Sequence, residues 1–161
     1  MKDNVKVYLL PLGCAKNLCN AELMLGHLVN AGMELLETPE GADVAIVNTC
    51  GFIESAKTEA IEAILELAEL KKEGVIGGLI VTGCLTQRYQ EEFLNELPEV
   101  DAAMGVGSGD DIVEAVLDVL NKGGKRAWFK EREANCLTGD RVLLTDPWCA
   151  YLRIAEGCDN K

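Results

Sequence analysis

Three of the chain's seven cysteines share one local setting. Cys14 closes Pro11-Leu12-Gly13-Cys14 behind the apolar run Val5–Leu10. Cys50 follows Val44–Val47 in Asn48-Thr49-Cys50-Gly51, and Cys84 follows Leu79–Thr82 in Thr82-Gly83-Cys84. Each stands beside a glycine, where an apolar run of the kind buried on both sheet faces gives way to a helical pattern. The separations, 36 and 34 residues, are each about one strand–helix–strand repeat of roughly 30 residues or more. In a parallel sheet such strand ends lie along one edge, where ligands bind. Three convergent thiolates suit a soft metal. A 4Fe–4S cluster normally takes four cysteines, so three would leave one iron open to a substrate or exogenous ligand. Gly13, Gly51 and Gly83 let the backbone turn tightly and aim amide N–H groups at cluster sulfurs.

The plainer alternative is three separate buried thiols packing as small hydrophobes. It suits any one of them alone, whereas three at matching strand ends favour a metal site. A zinc or redox thiol site stays open, although the Cys-x-x-Cys spacing of zinc ribbons is absent. So does a metal-free flavodoxin-like binding or signalling module, although the first strand lacks the terminal Asp pair that a phosphorylated receiver needs.

These cysteines need a frame to bring them together. Strands are expected at Val5–Leu10, Met33–Glu37 (an edge), Val44–Val47, Leu79–Thr82 and Asp101–Met104, with Arg126–Phe129 open as one more. Helices are expected at Leu18–Val29, capped by Asn17 or Asn20, and at Ile53–Lys72, Gln87–Leu97 and Asp110–Asn121. In the second helix Ala56, Ala60, Ile61, Ile64, Leu65 and Ala68 form the apolar side, and Glu59, Glu62, Glu66 and Glu69 the solvated one. Alternating strands and helices imply an α/β fold: a doubly wound, mainly parallel five-stranded sheet with helices on both faces, flavodoxin-like, in the order 2-1-3-4-5. Residues 1–125 read as one domain and 126–147 as a linker. Residues 148–161 read as the start of a second domain, with Trp148–Ala155 as its first strand.

Composition narrows the function. Fifteen Lys and Arg against 27 Asp and Glu give a net charge of −12, which argues against direct nucleic-acid binding by this domain, because phosphate contacts need clustered cations. Aromatics are few, at 5%. No run of about 18 apolar residues suggests a membrane span. Lys2, Asp3 and Lys6 run straight into a strand, so the start does not read as a signal peptide. Many cysteines without a leader point to metal binding or catalysis in a reducing cytoplasm.

Leu12-Gly13-Cys14-Ala15-Lys16-Asn17-Leu18, Val47-Asn48-Thr49-Cys50-Gly51-Phe52-Ile53 and Thr82-Gly83-Cys84-Leu85-Thr86-Gln87-Arg88 resemble the three cysteine motifs of the N-terminal domain of radical S-adenosylmethionine methylthiotransferases. Ala150–Asn160 resembles the entry to their radical domain. The resemblance covers nearly the whole chain. It implies that Cys14, Cys50 and Cys84 hold an auxiliary 4Fe–4S cluster whose open iron takes part in sulfur insertion. It also implies that Cys158 is the first ligand of a second 4Fe–4S cluster, which cleaves S-adenosylmethionine. The chain reaches Lys161 before that motif's next cysteine, so it reads as a piece of a longer enzyme and is expected to be inactive alone. Gly51-Phe52-Ile53-Glu54-Ser55-Ala56-Lys57 is most similar to members that methylthiolate the β-carbon of an aspartate in a small-subunit ribosomal protein. The tRNA adenosine-modifying relatives are the alternative, and the acidic charge fits a protein target better.

One departure is Cys19-Asn20-Ala21-Glu22, where that pattern usually runs Val-Asp-Ser-Glu. Cys19 reads as a helix-packing residue, with a spare thiol near the cluster as the alternative. Gly105–Gly109 lacks the Lys-Ser/Thr of a P-loop and reads as a capped turn with Ser108 or Asp110. His27 stands alone on its helix, Cys136 and Cys149 match no family ligand, and Trp148 is expected to pack at the domain boundary. The sequence does not determine the oligomeric state.

Overall fold

The computed structural model describes residues 4–122, 125–130 and 139–154. Along the chain run β1 (Lys6–Pro11), α1 (Ala15–Asn30), β2 (Glu34–Leu36), β3 (Val44–Thr49), α2 (Glu54–Lys72), β4 (Gly78–Gly83), α3 (Cys84–Tyr89), α4 (Glu91–Glu96), β5 (Ala102–Met104), a 3₁₀ turn (Val106–Asp111), α5 (Ile112–Lys122) and β6 (Arg126–Trp128). The strands form one all-parallel sheet in the order β2-β1-β3-β4-β5-β6. The expected α/β fold and strand order are present. The sixth strand, left open by the sequence, pairs with β5 and carries the sheet three residues past Lys125.

Strand residues alternate between two cores. Val44 and Ile46 face the cluster that holds Leu28, Ile112 and Val116 of α1 and α5. Ala45 and Val47 face the one that holds Ile64 and Leu67 of α2. With both faces covered, every residue of β3 and β4 is buried, which is why these strands read as continuous apolar runs. The chain moves outward from β1 to β2 and then crosses to β3. The topological switch point therefore lies between β1 and β3, where an open α/β sheet has its binding crevice.

Several local expectations change. The helix expected over Gln87–Leu97 is two short ones, starting earlier at Cys84 and breaking at Gln90, whose φ is +46°. The glycine-rich loop winds into the 3₁₀ turn, so α5 starts two residues late. On α2 the buried residues are Ala60, Ile64, Leu67 and Ala68, while Ile61 and Leu65 are exposed. No strand forms over residues 148–154. Lys71 does more than complement a helix end: it bonds the Glu99 carbonyl at 2.8 Å and Asp101 at 2.6 Å, tying α2 to the start of β5.

Gly83 ends β4 at φ +111°, and a Cβ there would lie 2.3 Å from the Thr49 carbonyl oxygen. Both the backbone angle and the closeness of β3 exclude a side chain. Gly83→Ala is expected to lower stability by at least about 2 kcal/mol. The check is the denaturant midpoint at unchanged slope.

Candidate metal centre

Cys14, Cys50 and Cys84 leave neighbouring strands β1, β3 and β4 at the same edge. Register brings the last two side by side, because Thr49 pairs with Gly83 and the cysteines are the next residues. Cys14 is the N-cap of α1, with φ −87° and ψ 169° and no side-chain cap bond. Asn17 and Asn20, expected as caps, do not fill that role. Cys14 is exposed, Cys84 half-buried and Cys50 buried, and among the described residues all cysteines are thiols without a disulfide.

The three turns touch. Gly13 has φ +106°, and a Cβ there would fall 2.6 Å from Cys50 Cβ and 3.5 Å from its Sγ. A Cβ on Gly51 would lie 2.8 Å from the Leu85 Cα and 3.3 Å from the Cys84 carbonyl carbon. Hydrogen bonds fasten what the glycines allow to approach. Asn17, 2% exposed, donates through Nδ2 to the Thr49 carbonyl at 2.8 Å and the Leu12 carbonyl at 3.4 Å. Its Oδ1 lies 3.7 Å from Cys84 Sγ. Asn48 Nδ2 donates to the Asn17 carbonyl at 2.8 Å, and Thr49 Oγ1 to the Thr82 carbonyl at 2.7 Å. Arg88 reaches the Gly51 carbonyl at 3.4 Å, which puts a cation beside the Cys50 turn.

Whether the residues fit a metal turns on these contacts. The donor set is three thiols from three touching turns at one sheet edge. Among the described residues, no three His, Cys, Asp or Glu side chains are gathered so as to hold a single ion. A cluster makes a looser demand, because its ligands bind different irons and need not converge on one point. A cavity of about 160 Å³ opens beside Cys14, lined by Pro11, Leu12, Gly13, Leu18 and Tyr151. The cavity touches Cys14 and neither Cys50 nor Cys84, so it is the donor chemistry, three thiols on touching turns, that fits an iron–sulfur cluster better than one metal ion.

Tyr151 reaches that cavity because residues 139–154 pack on α1. Glu22, fully buried, pairs with Arg141, whose Nε donates to it at 3.2 Å. The Leu144 amide donates to Glu22 Oε1 at 3.0 Å and the Val142 amide to the Glu22 carbonyl at 3.1 Å. The hydrogen bonds it donates to Glu22 hold the Arg141 guanidinium above its ordinary pKa. A Cβ at Gly26 would meet the Asp140 carbonyl oxygen at 1.9 Å, so glycine admits the strap. Cys19 lies beneath it, with Sγ 3.6 Å from Arg141 Nη2 and 3.7 Å from the Tyr151 carbonyl. It is 3% exposed there. The described part of the expected linker is thus anchored. Glu22 carried a readable signal: an acidic residue between Ala21 and Leu25 on a buried helix face.

Other residues separate from the edge. His27 is not alone, for its Nε2 lies 3.3 Å from Asp110 Oδ1. Ser108 Oγ accepts from the Lys130 amide at 3.2 Å rather than capping a helix. Cys149 and Trp148 are exposed. Cys136 and Cys158 lie outside the described residues.

Comparison with known proteins follows the same geometry. The model of the uncharacterized protein family UPF0004 matches residues 6–105, from β1 to the end of β5 and through all three thiol turns. The chain belongs to this family. Proteins of known name are also similar in sequence. The chain is 48% identical to the ribosomal protein uS12 methylthiotransferase RimO of Lachnoclostridium phytofermentans, over 97% of this chain and 36% of that protein. Identity to the protein of the same name is 45% in Clostridium botulinum strain Langeland, over 98% and 35%, and 46% in Campylobacter jejuni, over 97% and 34%. The chain spans about a third of the length of these curated relatives.

Removing the carboxylate under the strap would leave Arg141 without its ion-pair partner. Glu22→Ala is expected to cost about 3 kcal/mol, with faster hydrogen exchange at the Val142 and Leu144 amides. Unchanged protection there would show that the strap is held by other contacts.

Proposed function

We propose that this chain is the N-terminal iron–sulfur domain of a radical S-adenosylmethionine methylthiotransferase that modifies ribosomal protein uS12 in the cytoplasm. The observation that carries the reading is the meeting of the three thiol-bearing turns at one sheet edge beside the switch point. Cys14, Cys50 and Cys84 would hold an auxiliary 4Fe–4S cluster. With only three protein thiolates, such a cluster offers an open iron for the sulfur that is inserted. The chain's own contribution is positional. Gly13 and Gly51 let the turns close, Asn48 and Thr49 fasten them, and Tyr151 walls the cavity beside Cys14. The target would be the β-carbon of an aspartate. That reading, like the role of Cys158 in a second cluster with S-adenosylmethionine, rests on likeness to the named relatives and to the family's motifs. No helix among the described residues is long and apolar enough to cross a membrane.

We also propose the division into an iron–sulfur domain over residues 1–125, a linker over 126–147 and the start of a radical domain over 148–161. β6 extends the sheet slightly beyond the first boundary.

Anaerobic reconstitution with iron and sulfide tests the site. The chain is expected to bind both, in about equal amounts as a 4Fe–4S cluster requires, and to lose them when Cys14, Cys50 or Cys84 becomes Ala. Unchanged iron in all three variants would refute the assignment, and metal bound without sulfide would point to zinc instead. Residues 1–161 alone are expected not to methylthiolate uS12. Turnover by this piece would contradict the need for a separate radical domain.

A further inference from the structure

Asn17 begins the buried stripe of α1, followed by Ala21, Met24 and Leu28, each 2% exposed or less. A carboxamide at this position is a poor way to fill a core, because a buried polar group costs free energy unless each of its atoms is satisfied. The side chain is satisfied by groups from three different turns. Nδ2 donates to the Leu12 carbonyl, two residues before Cys14, and to the Thr49 carbonyl, one residue before Cys50. Oδ1 faces Cys84 Sγ. The backbone carbonyl of Asn17 accepts from Asn48, two residues before Cys50. One residue therefore contacts the turns of all three cysteines.

We propose that Asn17 is the positioning residue of the thiol site, holding the three turns at fixed separation before any metal arrives. The role rests on the reading of Cys14, Cys50 and Cys84 as ligands. Asn17 itself is not a ligand and acts through the backbone of the turns. Its two Nδ2 bonds run to the carbonyl of Leu12, just past the end of β1, and to that of Thr49, the last residue of β3, so it spans the crevice between the strands that flank the switch point. The ladder between β1 and β3 stops at Pro11 and Asn48, with one further bond from the Leu12 amide to the Asn48 carbonyl. Beyond that point the Cys14 turn has left the sheet, and the Asn17 carboxamide takes over the cross-linking.

The test is anaerobic titration of the metal-free 161-residue protein with iron and sulfide, read by the thiolate-to-iron charge-transfer absorption of the assembled cluster. Asn17→Ala is expected to weaken iron binding in the presence of sulfide about 10–100-fold and to lower the charge-transfer intensity per bound iron. Leu28→Ala, which truncates the same stripe far from the thiols, is the stability control and is expected to bind as the parent does. Equal weakening in both variants would overturn the proposal, since only stability would be at work. Parent-like binding by Asn17→Ala would overturn it too. Should Asn17→Ala fail to fold, Asn48→Ala, which loses only the bond to the Asn17 carbonyl, carries the same test. A several-fold weakening supports the role and unchanged binding refutes it. The ligand reading has its own control: if replacing Cys14, Cys50 and Cys84 leaves iron and sulfide loading intact, that reading falls, whatever Asn17 does.

Discussion

The thiol edge depends on the register of three parallel strands. β1, β3 and β4 pair so that Pro11 lies level with Asn48, Asn48 with Thr82, and Thr49 with Gly83. Neighbouring strands run about 4.8 Å apart, so residues that leave the ladder at one level leave as neighbours. Cys50 and Cys84 are the first residues beyond their strands, and Cys14 is three beyond Pro11. A slip of one residue in either pairing would turn every strand side chain to the opposite face. With Val44 and Ile46 committed to one core and Ala45 and Val47 to the other, the apolar packing enforces the register. The hydrophobic effect thereby sets where the sulfurs stand, though no sulfur takes part in it.

The strand bodies and the strand ends obey different physics. The bodies are apolar and tolerate any good packing. The ends are polar yet buried: Asn17, Asn48, Thr49, Thr82 and Thr86 are each at most 3% exposed. Thr86 Oγ1 bonds the Gly83 carbonyl at 2.9 Å and the Met104 carbonyl at 2.5 Å, reaching from the Cys84 helix to β5. Such a network is favourable only when complete, because a half-satisfied polar group in a dry place is costly. Completeness also makes it rigid. A metal site built on loops gains from this, since the backbone that carries its ligands is already ordered.

What the sequence disclosed follows from that contrast. Strand bodies such as Val44–Val47 and Leu79–Thr82 announce themselves by composition, and their spacing was enough to place three cysteines at one edge, while the strand order came with the flavodoxin-like reading. The ends were harder. Asn17 beside a helix start looks like a cap, and only the tertiary structure shows that Cys14 occupies the cap position while Asn17 points into the crevice. The break at Gln90 has no Gly or Pro to mark it, so α3 and α4 read as one helix. Arg141 lies 119 residues from Glu22 in a stretch without periodicity, and nothing local foretells that a buried carboxylate waits for it on α1. Ile61 and Leu65 fit the apolar side of α2 by pattern, yet the sheet is reached by the stripe through Ala60, Ile64, Leu67 and Ala68.

Charge is arranged as unevenly as polarity. The chain carries −12 overall, and three thiolates would add to it, a burden that like charges nearby would make heavier. The carboxylates at the start of α2 and beyond β5 are matched by cations. Glu54 pairs with Lys57 at 2.7 Å, and Asp111 with Lys130 at 2.6 Å. These pairs are solvent-exposed on at least one side and add little stability, but they keep carboxylate charge at the edge locally compensated. The direct hydrogen bond from Lys57 holds the Glu54 carboxyl below its ordinary pKa, so the pairing persists through neutral pH. Arg88 adds a cation at the Cys50 turn itself. The excess acidity sits elsewhere, along Glu59, Glu62 and Glu66 of α2, whereas Glu69 pairs with Lys72 at 2.7 Å. The thiol edge and the acidic surface lie on different elements of the fold.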